Sequence, residues 1–224
     1  MHSAFRIAIG VLATAVMLSV GLVARAADGE GANSDAGVPV SGVDRLRAYI
    51  VAGEVYHADF VQSVYSESGE LVRESSGDVS IAPPNRFRWI YQVPFPQLIV
   101  SNGEQLYLYD EDLAQVTVYD SKSALKSSPT MLFRDPESLE RSFEIRSLDS
   151  TDGYAWVELR PRDEDADFEA VFVALDSSGM RVLEMRDKLG QATQIRFDHL
   201  QVTRSVNDAL FEFEIPDGTD VIRP

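Results

Sequence analysis

Nucleophilic or metal-assisted chemistry has few side chains to draw on in this chain. It holds no cysteine and three histidines, His2, His57 and His199. No His-Glu-x-x-His run sets two imidazoles on one helix face. His57 and His199 fall on separate expected strands and read first as two surface imidazoles, with a metal pair as the weaker alternative. Asp163, Asp165 and Asp167 alternate like the start of a calcium loop, but Phe168 stands where that loop needs Gly and Ala174 where it needs Glu. The run reads as an acidic, solvated turn. There is no Gly-x-Ser-x-Gly elbow and no glycine-rich phosphate loop closed by Lys and Ser or Thr. The expectation is a binding protein and not an enzyme, with no cofactor and no metal.

What the chain does concentrate is aromatic surface. In Arg86-Phe87-Arg88-Trp89-Ile90-Tyr91 three aromatics alternate with Arg, Arg and Ile. A strand places alternate residues on opposite faces, so this segment has one aromatic face and one mostly charged face. Phe60 belongs to a second alternating run, Ala58, Phe60, Gln62 and Val64. Such faces either pack a core or line an apolar cavity, and the residues themselves leave both readings open.

The elements that would hold these faces are mostly strands. Ser41 with Asp44 resembles a capping box, and Val43, Leu46 and Ile50 follow at helical spacing to about Val51. Period-two patterning starts near Glu54. Strands are expected from there to about Tyr65, over Leu71–Ile81 with a bulge at Gly77, over 86–91, and on either side of the Asn102-Gly103 hairpin signal. Val116–Tyr119 continues the sheet. Between Lys122 and Arg141 the rhythm breaks. Pro129 to Phe133 reads as a short apolar helix and Asp135-Pro136-Glu137 opens another, with Pro in the first turn. Strands resume at 143–146, 154–160, 168–175, 182–186, 193–202 and 211–215, with turns at Ser177-Ser178-Gly179 and Lys188-Leu189-Gly190. The fold class is therefore mainly β (α+β): one strongly curved antiparallel sheet of about eleven strands, an incomplete β-barrel whose concave face is capped by a helical lid.

Composition narrows the partners. Arg6 precedes an apolar run from Ile7 to Val23, and Ala24-Arg25-Ala26 gives a small-x-small site. Residues 1–26 are expected to be a signal peptide, cleaved between Ala26 and Ala27. Residues 27–40, rich in Gly, Ala, Ser and Asp, read as a disordered lead-in, and 41–224 as one domain. Loss of Arg6 and Arg25 moves the net charge from −16 to −18. A surface that acidic is a poor match for nucleic acid and is repelled by anionic membrane surfaces. An exported chain without cysteine must be stable without disulfides.

An ordered set of motifs carries a resemblance. Phe60-x-Gln62 is followed by Gly77-Asp78 and by Pro84-x-x-Phe87-Arg88-Trp89 with Pro94 and Gln97. Ile99-Val100-Ser101-Asn102-Gly103, Leu106-Tyr107-Leu108-Tyr109-Asp110, Leu113-x-Gln115-Val116-Thr117 and Ser128-Pro129-x-Met131-Leu132 come next. Leu159-x-Pro161, Asp187-x-x-Gly190-Gln191-x-Thr193 and Phe211-x-Phe213-x-x-Pro216-x-Gly218-x-Asp220-Val221 complete the order. Over nearly the whole chain after the leader, the sequence resembles the LolA family of periplasmic lipoprotein carriers. The lack of a lipidation cysteine separates it from the related outer-membrane receptor LolB.

That resemblance implies an incomplete barrel capped by helices. It implies a periplasmic carrier, expected to act as a monomer, that holds the acyl chains of lipoproteins. Such a carrier takes them from an inner-membrane ABC-type release complex and hands them to an outer-membrane acceptor lipoprotein. By similarity Phe87 and Trp89 lie on the strand lining the cavity, and Met131 and Leu132 on the lid. Phe60, Tyr91 and Phe133 complete the expected lipid-binding set. Many members carry Arg just before the Pro of the Pro-x-x-Phe-x-Trp segment, as a latch on the lid. Here that position is Pro83, preceded by Ala82, and Arg86 or Arg88 is the expected substitute. The rival class is a lipid- or lipoprotein-sensing regulatory domain on the same scaffold.

Overall fold

The computed structural model describes residues 41–52, 54–124 and 136–224. The expected signal peptide with Ala26 and Ala27, the lead-in to Val40, and the apolar segment with Met131, Leu132 and Phe133 lie outside the described residues.

Helix α1 (Gly42–Val51) begins where the capping pattern placed it. The Ser41 hydroxyl accepts from the Asp44 N–H at 3.1 Å and donates to the Asp44 carboxylate at 2.7 Å. Leu46 and Ile50, one turn apart, are buried. Helix α2 (Ser121–Ala124) is a single turn. Helix α3 (Pro136–Ser142) carries Glu137 in its first turn and Arg141 in its last, as the helix dipole favours.

Among the described residues twelve strands make one sheet: β1 (Val55–Tyr65), β2 (Leu71–Ala82), β3 (Arg86–Val93), β4 (Gln97–Asn102), β5 (Gln105–Asp110), β6 (Gln115–Asp120), β7 (Phe143–Leu148), β8 (Ala155–Pro161), β9 (Phe168–Asp176), β10 (Gly179–Asp187), β11 (Ala192–Thr203) and β12 (Asp220–Ile222). Their order is β12-β6-β5-β4-β3-β2-β1-β11-β10-β9-β8-β7. Two antiparallel meanders are joined through β1 and β11, and the short β12 adds parallel to β6. The sheet is curved and unclosed, ending on β12 and β7. Curvature shows in the side chains. Trp89 on β3 and Phe197 on β11 are three strands apart, about 14 Å along a flat sheet, yet their ring centroids are 6.2 Å apart.

The alternation assigns the faces. Tyr56, Ala58 and Phe60 of β1, Val79 and Ile81 of β2, and Phe87 and Trp89 of β3 enter one apolar core. Val157 and Leu159 of β8, Val171 and Val173 of β9, Leu183 of β10 and Phe197 of β11 join it. Leu46 and Ile50 of α1 and Leu139 of α3 belong to the same core, so these helices cover the inner face. On the outer face Glu158 is almost fully buried, held by Arg146 and by Arg160, whose Nε lies at 2.9 Å.

One expected strand is not a strand. Residues 211–215 follow a 3-10 helix (Asp208–Phe211) capped by Asn207 and run over the outer face without joining the ladder. Phe211 is buried with Val55 and Ala82, and Phe213 lies 5.4 Å from the rings of Tyr107 and Tyr109. The Phe-Glu-Phe-Glu alternation is real, but its cause is a strap lying flat on a sheet, with aromatics down and acids up. The ladder strand comes later, as β12, and at three residues is too short to show a pattern.

Gly77 is the position the sheet cannot alter. The β2–β3 register shifts between Ser76 and Gly77, as a bulge at this glycine requires, and a Cβ there would sit 1.8 Å from the Ile90 carbonyl oxygen. Gly77→Ala is expected to lower the unfolding free energy by about 3 kcal/mol or more. Urea titration reads this directly. A change within about 0.5 kcal/mol, the size of an ordinary surface substitution, would mean the bulge relaxes freely.

Candidate functional site

Strand β3 carries three of the candidate residues on its inner face. Its inner residues Phe87, Trp89 and Tyr91 pair across to β2 with Ile81, Val79 and Gly77, where the absence of a side chain lets the two backbones approach closely. The Phe60 ring on β1 lies 5.0 Å from Trp89 and 5.1 Å from Tyr91, the latter edge-on. Phe60, Phe87 and Trp89 are all buried. Four of the residues singled out in the sequence thus stand on one apolar face, with Phe60, Trp89 and Tyr91 ring against ring. Phe197 completes the cluster. Its sequence signal was a lone aromatic on an alternating strand, which points to a core and not to a particular neighbour.

Two polar groups on this face satisfy each other. The Tyr91 hydroxyl donates to Gln62 Oε1 at 2.8 Å, and burial pushes the phenol up to about 12 against the opposing pull of Arg73. The Trp89 indole N–H, also buried, has no hydrogen-bond partner among the described residues.

Further along the inner face, α1 sets Tyr49 over Tyr56, with ring centroids 4.4 Å apart. The Tyr56 hydroxyl donates to the Tyr49 carbonyl at 2.9 Å. Burial raises both phenols, Tyr56 to about 12. A pocket between these rings and Ala58, Val79, Ile81, Met180, Phe197 and Leu200 holds about 10 Å³. That is room for roughly one water molecule. This pocket is too small for an alkyl chain, which could enter here only if its lining side chains, or α1 beside them, moved.

Arg86 and Arg88 point the other way. Arg86 Nη1 lies 2.5 Å from Asp208 Oδ1, with its guanidinium 5.4 Å from the centre of the Phe211 ring. Arg88 Nη1 donates to the Leu210 carbonyl at 3.4 Å. Both act on the outer face, opposite Phe87 and Trp89, and tie β3 to the C-terminal strap. The two histidines also have separate partners. His57 Nδ1 lies 2.8 Å from the Ser80 hydroxyl, and His199 Nδ1 lies 2.7 Å from Asp59 Oδ2.

Comparison with known proteins adds a consistent set of relatives. A family model described as "Outer membrane lipoprotein carrier protein LolA" matches residues 53–214. An outer-membrane lipoprotein carrier protein of Dechloromonas aromatica is 36% identical over 180 residues, covering 80% of this chain and 86% of the relative. One from Nitrosospira multiformis is 36% identical over 183 residues, covering 81% and 88%. Among solved structures, an uncharacterized conserved protein from Thermus thermophilus superposes with a TM-score of 0.52 at 13% identity, covering 82% of this chain and 97% of that one. At that identity the likeness speaks to the fold alone.

The outer face of the same strands yields a pH test. Asp59 pairs across β1 with Asp78 on β2 and with Asp198 on β11. The Asp78 carboxyl is raised, by partial burial first and by Asp59 second, with Arg88 opposing. A carboxyl raised on folding costs the folded state stability when ionised, and the cost disappears below its unfolded value. Asp78→Asn keeps an acceptor for the Gln92 amide at 2.9 Å. It is expected to raise the urea midpoint at pH 7, with the gain shrinking as pH falls through the carboxylate range. A gain that is constant with pH would assign it to something other than charge.

Proposed function

The chain belongs to the outer membrane lipoprotein carrier (LolA) family, and we propose that its concave aromatic face is where the acyl chains of a lipoprotein are sheltered. It is an outer-membrane lipoprotein carrier. The observation that carries the site is the buried cluster of Phe60, Phe87, Trp89, Tyr91 and Phe197 on one face of a curved sheet, within the span matched by the family. Met131, Leu132 and Phe133 are proposed to add to its cover.

The surroundings of the reaction follow from the same premise. The carrier works in the periplasm, after removal of residues 1–26. Among the described residues no helix is long and apolar enough to cross a membrane. Cargo arrives from an inner-membrane ABC-type release complex and leaves to an outer-membrane acceptor lipoprotein. The chain's own role is binding without catalysis.

Energetics favour an interior that closes when no cargo is bound. Burying an alkyl chain of fifteen methylenes releases about 12 kcal/mol. Three such chains in a preformed dry cavity would exceed the roughly 20 kcal/mol at which non-covalent affinity saturates. Such a carrier would never let go. A closed interior reduces the net affinity by the cost of opening it. Cargo can then pass to a site that needs no opening, while loading draws on energy from the release complex.

The test is depletion of the protein in its native cell, followed by fractionation of the two membranes. Outer-membrane lipoproteins are expected to accumulate at the inner membrane. Wild-type protein should restore sorting, and Phe87→Glu, which puts a charge among the rings, should not. Correct sorting after depletion, or full rescue by Phe87→Glu, overturns the reading.

A further inference from the structure

The Trp89 indole N–H is out of keeping with the face it stands on. Trp89 is buried, with 7% of its surface exposed, between Phe60 and Phe197. A buried indole ordinarily finds an acceptor for its N–H, and even the half-exposed Trp156 has one, its Nε1 donating to Asp152 Oδ2 at 2.8 Å. Among the described residues Trp89 Nε1 has no such partner. The nearby Gln62 Oε1 accepts from Tyr91 instead. The rings of Phe60 and Phe197 offer only their weakly accepting π-faces. Phenylalanine would fill an apolar wall without leaving a donor unmet.

The geometry points to an acceptor that comes with the cargo. We infer that Trp89 Nε1 donates to the carbonyl at the head of an acyl chain, ester or amide, when that chain lies against Phe60 and Phe197. This rests on the reading of the concave face given above and deepens it. The face then distinguishes an acyl group from a bare hydrocarbon of equal length. It also fixes how far the chain slides in, because the carbonyl must stop at the indole. Withholding the hydrogen bond from the empty protein makes the contact one that only cargo can complete.

Binding of methyl tetradecanoate, N-methyltetradecanamide and hexadecane tests this, each measured by displacement of an anilinonaphthalenesulfonate dye. In wild-type protein the carbonyl probes are expected to bind more tightly than hexadecane. Trp89→Phe should weaken the ester and amide by about tenfold, the worth of one buried hydrogen bond, and leave hexadecane within about twofold. The ester and amide arms show which linkage is read. Equal weakening of all three probes, or an unchanged ratio of carbonyl probe to hexadecane, overturns the anchor and leaves the pocket standing. Failure of wild-type protein to bind any probe overturns the pocket and the anchor together. A readout independent of the substitution is the indole N–H proton resonance of Trp89, told apart from that of Trp156 with Trp156→Phe. It should move downfield with the ester and not with hexadecane, and an equal response to both also overturns the anchor.

Discussion

An apolar concave face that water must not wet is the constraint on which the structure depends. Twelve strands curve without closing, so the inner residues converge and cannot be shared with a second sheet. Their burial falls to the helices and to one another. The aromatic cluster and the pair Tyr49–Tyr56 cover much of the described inner face, and the pocket between Tyr49, Tyr56 and Phe197 has room for little more than a water molecule. An apolar face able to hold alkyl chains is equally good at holding itself, which favours a closed state when no cargo is bound.

The two sides of the molecule are secured unequally. The outer face is tied down by the C-terminal strap, with Arg86 on Asp208, Phe211 over Val55 and Ala82, and Phe213 against Tyr107 and Tyr109. Glu158, between Arg146 and Arg160, binds the far strands in the same way. The helical side has less. Leu46, Ile50, Leu139 and the Tyr49 ring are its apolar anchors among the described residues, worth about 6–12 kcal/mol together at 1.5–3 kcal/mol each. The exposed Arg47–Glu140 pair at 2.7 Å between α1 and α3 adds about 0–1 kcal/mol. That sum is well below the roughly 36 kcal/mol of three buried acyl chains at about 0.8 kcal/mol per methylene, so on the proposed reading cargo would displace the cover while the sheet stays whole. The magnitudes favour a rigid frame with a separable lid over a deforming barrel.

Much of this was legible in the residues, and the exceptions have physical causes. Alternation in Arg86 to Tyr91 gives the two faces of β3 because strand geometry leaves no other arrangement. Gly77 signals its bulge because a Cβ there meets backbone. The same period-two rule misreads Phe211 to Ile215, since a segment lying flat on a sheet alternates whether or not it pairs. Arg86 and Arg88 show the other limit. Their charge is plain in the sequence, but which segment crosses the outer face to meet them, 122 residues away, is a matter of topology. The unmet donor of Trp89 is also invisible in a sequence, because it depends on what does not lie beside it.

The central claim is that cargo enters only when the helices leave the sheet. The Val43 N–H of α1 donates to the Ser147 hydroxyl of β7 at 3.1 Å, which makes the two positions neighbours across helix and sheet, and with no cysteine in the chain a cysteine pair placed there can be oxidised and its disulfide verified by loss of free thiol. Binding of a fluorescent diacylated lipopeptide to this double variant, oxidised and then reduced, is the direct measurement. The oxidised protein should fail to bind and recover on reduction. Equal affinity in the two states would show that chains reach the aromatic face without lifting α1, and would contradict the account.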